Sequence, residues 1–547
     1  MSGSGTLSPH HERIRRRGIN PFVYWPVRFV LKPLILLWFR VTREGRAHIP
    51  AEGGVILAAN HRSFLDPFVI GCCVRRPIYF VAKRELFSNR FVGWLLNALG
   101  AFPVRRGESD EESMATAREV LERGGAVVIF PEGTRHRTGS LGRPKRGVGR
   151  LALETGAQVV PVAITGSERA RRGALVRPVK VAIRFGSPLT FPRVENPSPH
   201  LAGEVAARIW PCVELQWEWL GGLPALRKAA VVGAGSMGTA VAELLARAGM
   251  DVQLGCRTAA QADAMAASGS NERHLPGIAL TGRVRVTTAA EIELGGVDLV
   301  VLAVPSRALP GAVARTADRI GPRTAVLVLT KGVVAPLGTL PSRYVGDRIR
   351  ARGVAALGGP AHAREMVESG ASVVLACADP DLRRQLVEVL GRAGLDVTQT
   401  DDVQGAELAG CAKNLAALAA AAAAPRGMNL AGAAAGRVFG EIHDYAVEAG
   451  GRSETFAGLA GVGDLVATAL AEGSRNRRAG ELLGLGMRAE EAGTAVGQAA
   501  EALDSAPLLA AAMGPEARAV GALGALIEGR LTTDQWLADA AGARRAA

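Results

Sequence analysis

A histidine and an aspartate five residues apart could form an acid–base pair early in the chain. They are His61 and Asp66, in the stretch "NHRSFLD". An imidazole titrates near neutral pH, so it can take the proton of a substrate hydroxyl and make that oxygen a nucleophile. A carboxylate at the other ring nitrogen fixes the tautomer, as in a Ser-His-Asp arrangement whose serine is replaced by the substrate hydroxyl. A lone histidine is more often structural than catalytic, so the His61–Asp66 pair is a candidate that needs further polar residues beside it.

A second group of polar residues stands far along the chain, among alanine and leucine. Lys413 and Asn414 are the polar pair of "AGCAKNLAALAAAAAA". Lysine is rarely buried without a partner, so a pair of this kind on an apolar helix indicates a site. The stretch "GLAGVGDLVATALAEGSRNRRAG" adds five more polar candidates: Asp464, Thr468, Ser474, Arg475 and Asn476.

Two apolar strands are expected to position the first group. One runs over Gly54–Ala59 and ends at Asn60, His61 and Asp66. The other runs over Ala126–Phe130. Open α/β sheets bind ligands where strands end. The residues that follow the second strand are therefore also site candidates: Glu132, Gly133, Thr134 and Arg135.

Between these strands lies an uncharged run, Phe91–Val104, followed by Arg105 and Arg106. One interpretation is a core helix and strand with solvated charges. The other is an apolar surface for an acyl chain beside two guanidiniums that could bind a phosphate. The residues leave both interpretations open.

Composition and charge suggest several globular domains, one of them basic. The chain has 547 residues, 48% hydrophobic and 21% charged, which predicts two or three domains. Residues before Leu223 hold 33 Lys/Arg against 18 Asp/Glu, a net +15, whereas the rest holds 32 against 33. Six of the seven tryptophans also lie in the basic part. This combination favours contact with an anionic membrane surface over nucleic acid, for which no binding motif is present.

The apolar segment Pro21–Phe39 bears on where the protein resides. Arg28 and Lys32 interrupt it and three prolines are expected to break its helix, so it falls short of the roughly 20 residues that span a bilayer. An interfacial anchor, with both cations reaching headgroups, is expected, and a buried packing helix is the alternative. The start lacks a signal-peptide core, and the six cysteines show neither disulfide nor metal spacing. We expect a cytoplasmic protein peripherally associated with the inner face of the cell membrane, without a metal site.

A dinucleotide-binding pattern begins at Ala229. The strand "AAVVGAG" enters a helix through Gly233, Gly235 and Gly238, which permit a tight turn, pyrophosphate approach and close packing of helix on strand. Arg257 ends the next strand, where an acidic residue would select the ribose of NAD, so NADP should bind at least as well. Further strands alternate with helices to about residue 400, which predicts a doubly wound sheet followed by an all-α region.

Four blocks of the first part, in order and spacing, resemble the 1-acyl-sn-glycerol-3-phosphate acyltransferase family. They are "NHRSFLD", "GAFPVRRG", "FPEGTR" and "VPVAI", within a likeness that covers Pro21–Gly203. The resemblance implies an α/β domain that transfers a fatty acyl group from acyl-CoA or acyl-carrier protein to lysophosphatidate, giving phosphatidate. It also implies that His61 takes the proton of the acceptor hydroxyl and that Asp66 orients His61. Arg135 would pair with the acceptor phosphate, whereas Glu132 would orient the site.

The chain from Ala229 to Leu537 resembles the NAD(P)-dependent glycerol-3-phosphate dehydrogenase family. The shared motifs are GxGxxG, "NERHLPG", "LTKG", "GGPAHAREM", "AKNLAA" and "GDLVAT…SRNRR". The resemblance implies NAD(P)H-dependent interconversion of dihydroxyacetone phosphate and glycerol 3-phosphate. Lys413 would exchange the proton at the C2 oxygen, with help from Asp464, and Lys331 would contact cofactor and substrate.

The same resemblance assigns further contacts. Substrate would meet Gly359, Ala361, Ser474, Arg475 and Asn476, the last two at the phosphate. Cofactor would meet the glycine turn, Arg257, Lys331 and Arg475, together with Ser236, Met237, Ala363, Ala499 and Glu501. Ala361 departs from the Ser or Thr usual in the family, and one absent neutral hydrogen bond should cost affinity, about 0.5–1.5 kcal/mol, rather than chemistry.

The sequence thus predicts a bifunctional enzyme of glycerophospholipid synthesis. We expect a membrane-associating segment (1–40), an acyltransferase domain (41–222), a Rossmann domain (223–400) and a helical domain (401–547), with the link "WLGGLPALRK" between the two enzymes. Two alternatives stay open: direct acylation of glycerol 3-phosphate, and a C-terminal part that senses dinucleotide without turnover. A homodimer is also left open.

Overall fold

The computed structural model describes residues 8–104, 110–136, 141–172, 175–471 and 473–540. The chain forms two compact units, Met1–Ala225 (unit 1) and Leu226–Ala547 (unit 2). Arg105 and Arg106, predicted to bind a phosphate, lie outside the described residues.

Unit 1 is built on a mixed sheet of seven strands, as far as its described residues show. Its order is β1-β9-β6-β2-β5-β3-β4, and the five strands from β6 to β4 are parallel. A small hairpin pairs β7 with β8. The strands are β1 (Thr42–Glu44), β2 (Val55–Ala59), β3 (Ile78–Lys83), β4 (Ala101–Val104), β5 (Ala126–Ile129), β6 (Gln158–Thr165), β7 (Arg171–Arg172), β8 (Leu175–Val176) and β9 (Ala182–Phe185).

Helices cover both faces of this sheet, which is why its central strands are apolar throughout rather than alternating. Every residue of β2 is buried. One face packs in a cluster with Ile70 and Phe80, and the other in a cluster with Leu151 and Trp210. The helices are α1 (Pro9–Arg17), α2 (Pro21–Trp38), α3 (Asp66–Cys73), α4 (Arg90–Ala98), α5 (Glu111–Glu122), α6 (Gly147–Thr155) and α7 (Pro199–Trp219).

The prediction that prolines break the helix of Pro21–Phe39 is wrong. α2 is one helix of 18 residues with Pro26 and Pro33 inside it. Each internal proline removes one backbone donor, and the neighbouring hydrogen bonds continue the helix. Among the described residues, α2 and the helical stretch Val403–Arg426 are long and apolar enough to cross a membrane by length and composition, and the latter is mostly buried in unit 2.

The surroundings of α2 bear on one of its two predicted roles. Phe22 and Phe29 are 90% and 82% exposed, so α2 is not the buried packing helix of the alternative. Arg28 and Lys32 were both expected to reach lipid headgroups, and the structure differs from this expectation at Arg28. The Arg28 guanidinium donates to the carbonyls of Gly71 (2.8 Å) and Val74, at the end of α3, so it is not available to a headgroup.

Unit 2 begins with the predicted doubly wound sheet. Its order is β14-β11-β10-β15-β16-β17-β18-β19, parallel except where β18 meets β17. β12 and β13 pair separately as a hairpin. The strands are β10 (Lys228–Val232), β11 (Asp251–Cys256), β12 (Ser270–Asn271), β13 (Leu275–Ala279), β14 (Val284–Thr288), β15 (Leu299–Leu302), β16 (Ala325–Val328), β17 (Gly353–Gly358), β18 (Ser372–Ala376) and β19 (Asp396–Thr400).

Helices follow the strands of unit 2 and then replace them. Those around the sheet are α8 (Ser236–Arg247), α9 (Ala259–Ser268), α10 (Leu309–Thr316), α11 (Pro341–Gly346), α12 (Ala363–Glu368) and α13 (Pro380–Arg392). The described part after Thr400 is helical: α14 (Val403–Ala423), α15 (Met428–Glu448), α16 (Ser453–Ala457), α17 (Asp464–Leu470), α18 (Arg475–Gly484), α19 (Ala489–Val496), α20 (Glu501–Met513), α21 (Arg518–Ile527) and α22 (Thr533–Ala540). The predicted fold class is therefore confirmed.

Candidate active sites

In unit 1, the turn between β2 and α3 brings His61 and Asp66 together. Asn60 fixes the start of this turn, because its side chain exchanges two hydrogen bonds with the backbone of Ile164 on β6, at 3.0 and 2.8 Å. His61 Nδ1 lies 2.9 Å from Asp66 Oδ2. His61 is 4% exposed and Asp66 fully buried. The geometry is that of a histidine held by a carboxylate at one ring nitrogen.

Asp66 is surrounded by further donors. Its Oδ2 accepts the backbone N–H groups of Arg62 (2.6 Å) and Ser63 (2.7 Å), and its Oδ1 accepts the hydroxyl of Ser167 (2.6 Å). A carboxylate with this many donors is an acceptor, so Nδ1 of His61 donates to it. The other ring nitrogen, Nε2, is then the one that can accept a proton.

Glu132 lies behind the histidine turn rather than toward a ligand. Its Oε2 accepts the backbone N–H of His61 (3.1 Å) and its Oε1 that of Gly142 (3.1 Å). Burial raises the pKa of Glu132 to about 7, although both backbone donors oppose the rise. Phe130, at the end of β5, stacks on the imidazole with ring centroids 4.1 Å apart. These contacts suit an orienting role for Glu132.

His61 opens into a cavity of about 1350 Å³ within unit 1. Gly133 and Arg135 line it together with Lys145 and Arg146, so one part of the wall is cationic. Thr134 is exposed, and its hydroxyl lies 3.3 Å from His136 Nε2 rather than against the cavity. Another part of the wall is apolar: Phe68, Phe80, Leu86, Leu96, Met114 and Ile129.

The run Phe91–Val104 is divided among the core, the wall of the cavity and the surface. Leu96 and Val104 line the cavity, whereas Ala101 and Phe102 are buried in the core. Phe91 and Trp94 of α4 are exposed on the surface. The apolar run thus serves the core, the cavity wall and the outside at once.

In unit 2, the turn after β10 has the shape of a dinucleotide cradle. A Cβ on Gly238 would come 1.9 Å from the carbonyl of Gly233, so helix and strand pack too closely for a side chain. A Cβ on Gly235 would meet nothing within 4 Å, which leaves backbone open toward a cavity of about 870 Å³ at the N-terminus of α8. These features fit a dinucleotide pyrophosphate.

The wall of this second cavity contains several of the predicted cofactor contacts. Gly233, Gly235, Ser236, Arg257, Arg475 and Ala499 line it. Met237 and Ala363 instead pack against the core of the sheet, as does the substrate candidate Ala361. Arg273 and His274 of the "NERHLPG" motif also line the cavity, and sequence reasoning did not single them out. Burial lowers the pKa of His274. The positive charges of the nearby Arg273, Arg257 and Arg475 lower it further, because they disfavour a protonated imidazole.

Two lysines share one carboxylate between the sheet and the helices of unit 2. Asp464, at the start of α17, has Oδ1 3.1 Å from Nζ of Lys413 and Oδ2 2.7 Å from Nζ of Lys331. Lys413 also donates to the hydroxyl of Thr468 (2.8 Å), and Lys331 to the carbonyl of Gly359 (2.9 Å). The structure thus brings residues from three distant motifs into one cluster.

The charges in this cluster perturb one another. Burial and, to a lesser extent, the nearby charge of Lys331 lower the pKa of Lys413 to about 8, against the opposing effect of Asp464. Burial alone would raise the pKa of Asp464, but the two lysines hold it below its ordinary value. An amine that titrates near neutral pH can both give and take a proton.

The remaining polar candidates surround the lysines. Asn414 donates to the carbonyl of Lys331 (3.0 Å) and accepts from Asn476 (2.7 Å), which accepts in turn the N–H of Ala502 (3.2 Å). Asn476 is therefore bonded within the protein. Ser474 caps α18, with its hydroxyl accepting the N–H of Arg477, and Arg475 is exposed.

Glu501, predicted to contact the cofactor, does not line the cavity of unit 2 but joins two backbone segments beside it. It accepts the backbone N–H of Ser306 (3.3 Å) with one oxygen and that of Lys331 (3.2 Å) with the other. Loss of solvation raises the pKa of Glu501, although Arg475 opposes the rise. Glu501 therefore fixes the strand end that carries Lys331.

Comparison with known proteins finds family matches within each of the two units. Residues 40–165 match the acyltransferase family model. Residues 228–383 and 402–527 match the N-terminal and C-terminal models of NAD-dependent glycerol-3-phosphate dehydrogenase. The fold and sites thus define an acyltransferase domain joined to an NAD(P)H-dependent oxidoreductase.

Individual relatives agree with the second assignment. The glycerol-3-phosphate dehydrogenase [NAD(P)+] of Streptomyces griseus is 38% identical over 283 residues, 51% of this chain and 84% of that protein. That of Bradyrhizobium is 36% identical over 311 residues, 56% of this chain and 93% of that protein. The crystal structure of the Coxiella burnetii enzyme covers 57% of this chain and 98% of its own at 31% identity, with a TM-score of 0.54. The chain belongs to the NAD(P)-dependent glycerol-3-phosphate dehydrogenase family, and it carries an acyltransferase domain before the dehydrogenase.

Proposed function

We propose that this chain is a bifunctional enzyme that reduces dihydroxyacetone phosphate to glycerol 3-phosphate and transfers an acyl group to 1-acylglycerol 3-phosphate. The observation that carries the acyl-transfer part is the buried His61–Asp66 pair, 2.9 Å apart, at the edge of a cavity that is cationic on one part of its wall and apolar on another. A phosphate-bearing acceptor and a fatty acyl chain need these two environments.

Acyl transfer follows from the tautomer that Asp66 fixes. Nε2 of His61 takes the proton of the acceptor hydroxyl while that oxygen bonds to the thioester carbon. The carbon–sulfur bond then breaks, and the imidazolium returns the proton to the leaving thiolate. Asp66 stabilises the imidazolium between these steps. The donor is acyl-CoA or acyl-carrier protein, and neither step requires an acyl-enzyme.

Reduction of the ketone follows from the position of Lys413. The nicotinamide, when bound in the cavity of unit 2, supplies the hydride that reaches C2. Lys413 gives its proton to the C2 oxygen, and in the reverse direction the neutral amine takes the proton back. Asp464 holds Lys413 by one oxygen and Lys331 by the other, so both amines keep their places during the transfer. Arg475, at the start of α18, would bind the substrate phosphate.

The acyl acceptor is tested directly with the purified full chain. Labelled acyl-CoA and acyl-carrier protein are each offered with 1-acylglycerol 3-phosphate and with glycerol 3-phosphate, and the lipid products are separated. We expect labelled phosphatidate. Labelled 1-acylglycerol 3-phosphate as the main product would replace this proposal with direct acylation of the dehydrogenase product, and label in neither would remove the acyl-transfer part.

We also propose that the protein works in the cytoplasm at the inner face of the cell membrane. α2 exposes Phe22, Phe29 and Leu37, and the residues before Leu223 carry a net +15. Apolar interfacial contact and attraction to anionic lipid would act together, and only the second is screened by salt. Co-sedimentation with anionic vesicles should therefore fall, but not vanish, as salt is added. Protein that stays in the supernatant at low salt would contradict the location.

A further inference from the structure

The residue after the histidine of unit 1 has an unusual position for a charged side chain. Arg62 gives its backbone N–H to Asp66, and its side chain is only 5% exposed. The guanidinium lies over the indole of Trp217, 4.7 Å from the ring centroid, with Nε 3.9 Å from Glu168. Glu168 directly follows Ser167, whose hydroxyl binds Asp66. The Arg62 side chain therefore packs among groups that hold the histidine turn, outside the lining of the cavity.

Trp217 also holds the segment by which the chain leaves unit 1. Its Nε1–H donates to the carbonyl of Leu223 (3.1 Å), and its own carbonyl accepts the N–H of Gly222 (2.9 Å). A Cβ on Gly222 would come 2.1 Å from the indole ring, so the segment lies directly against it. Trp217 is 3% exposed. The tryptophan thus contacts the exit segment, residues 220–225, and the guanidinium beside His61.

We infer that Trp217 is a positioning residue of the acyl-transfer site, which acts through Arg62, and that the exit segment sets its position. The indole fixes the plane of the guanidinium, and the backbone of Arg62 then keeps its N–H on Asp66. Displacing the exit segment displaces Trp217 and loosens the His61–Asp66 pair. This inference rests on the proposed acyl transfer, but on no residue that touches substrate.

Kinetics of full-length variants test it. Trp217→Leu should lower kcat of acyl transfer about tenfold, because the His61–Asp66 pair is held less well, with KM for both substrates nearly unchanged because no substrate contact is removed. Trp217→Phe keeps a ring and should restore most of the loss. Arg62→Lys should lower kcat similarly, and the double variant should be no slower than either single one, because both remove one interaction.

Gly222→Ala tests the exit segment. The added methyl cannot fit against the indole, so kcat should fall in the wild-type background and not fall further in the Trp217→Leu background, where no ring remains. Trp219→Leu is the matched control. Trp219 lies on the same helix and also carries an arginine over its ring, Arg184 at 4.7 Å, but it is 67% exposed and does not contact the exit segment's carbonyl at Leu223. Its loss should leave acyl transfer unchanged.

Failure of the proposed acyl transfer can be distinguished from failure of the inference about Trp217. Circular dichroism and thermal unfolding of the same preparations report whether unit 1 is folded, because reduction of dihydroxyacetone phosphate reports on unit 2 alone. A wild-type protein without acyl transfer would overturn the proposed function and this inference with it. Wild-type transfer with an unaffected Trp217→Leu variant, or with additive losses for Arg62→Lys and Trp217→Leu, would overturn this inference alone.

Discussion

Replacing Asp464 by asparagine should move the pH dependence of the dehydrogenase to lower pH in both directions of the reaction. The pKa of Lys413 is about 8 in the wild-type protein. Reduction needs the protonated amine, so its rate should fall as pH rises through this value. Oxidation of glycerol 3-phosphate needs the neutral amine, so its rate should fall as pH drops through the same value.

The size of the shift follows from the contact. Oδ1 of Asp464 is 3.1 Å from Nζ of Lys413. At an effective dielectric constant of about 20, two unit charges at this distance attract by about 5 kcal/mol, and about 1.4 kcal/mol corresponds to one pKa unit. Lys331 competes for the same carboxylate, and the asparagine still offers a carbonyl. If about a third of the attraction is lost, the pKa of Lys413 falls by about one unit.

The assay records kcat and kcat/KM for both directions from about pH 5.5 to 10, with NADPH or NADP. In Asp464→Asn, reduction should lose activity at lower pH than in the wild type, and oxidation should extend to lower pH. Asp534→Asn is the matched control, since this carboxylate pairs with Arg426 on the surface. A variant whose two pH limbs stay where they were, or move to higher pH, would refute the electrostatic reasoning whatever its kcat.

Four further outcomes are expected. His61→Ala should abolish acyl transfer and leave ketone reduction intact, and Lys413→Ala should do the reverse; a joint loss in folded protein would show that the sites are not independent. Arg257→Asp should shift preference from NADPH toward NADH because it removes the cation for the 2′-phosphate, and equal losses with both cofactors in KM measurements would contradict that role. Ser167→Ala should lower kcat of acyl transfer by about tenfold to a hundredfold, since a hydrogen bond to a charged group is worth about 1.5–3 kcal/mol, and an unchanged kcat would mean that Asp66 needs no such support. Phe29→Ser, which removes apolar area without changing the charge, should weaken vesicle binding most clearly at high salt, where the electrostatic attraction is screened; binding equal to wild type at all salt concentrations would show that α2 does not enter the interface.

The sequence predicts most of the fold because its signals are local. The apolar strands of both sheets, the glycine turn at Gly233–Gly238 and the change to helices after Thr400 each follow from a short pattern. The alternation of strands and helices predicts a doubly wound sheet, whereas the order of its strands required the structure. Features of the fold that depend on a short stretch of sequence could therefore be predicted.

The errors and omissions have physical reasons of their own. Proline content argued against a helix over Pro21–Phe39, but each of the two internal prolines removes only one of its many hydrogen bonds. Ser167 gave no signal, because it lies 101 residues from Asp66 in the chain and meets it only through the return of β6. Likewise, the shared carboxylate between Lys331 and Lys413 depends on tertiary packing. The resemblance to the dehydrogenase family identified both lysines as site residues, but only the structure gives the distances between them and the carboxylate of Asp464.

The hydrogen bonds from Arg28 to the end of α3 limit how the N-terminal segment can be truncated or replaced. Its guanidinium satisfies carbonyls at Gly71 and Val74, whereas the other end of the same eight-residue helix begins with Asp66. A truncation at residue 40 would remove the exposed apolar surface and, at the same time, uncap the helix that starts with the carboxylate partner of His61. The first forty residues therefore also support the acyl-transfer site. Replacing them with an unrelated membrane anchor should lower the rate of acyl transfer unless an arginine equivalent to Arg28 is retained.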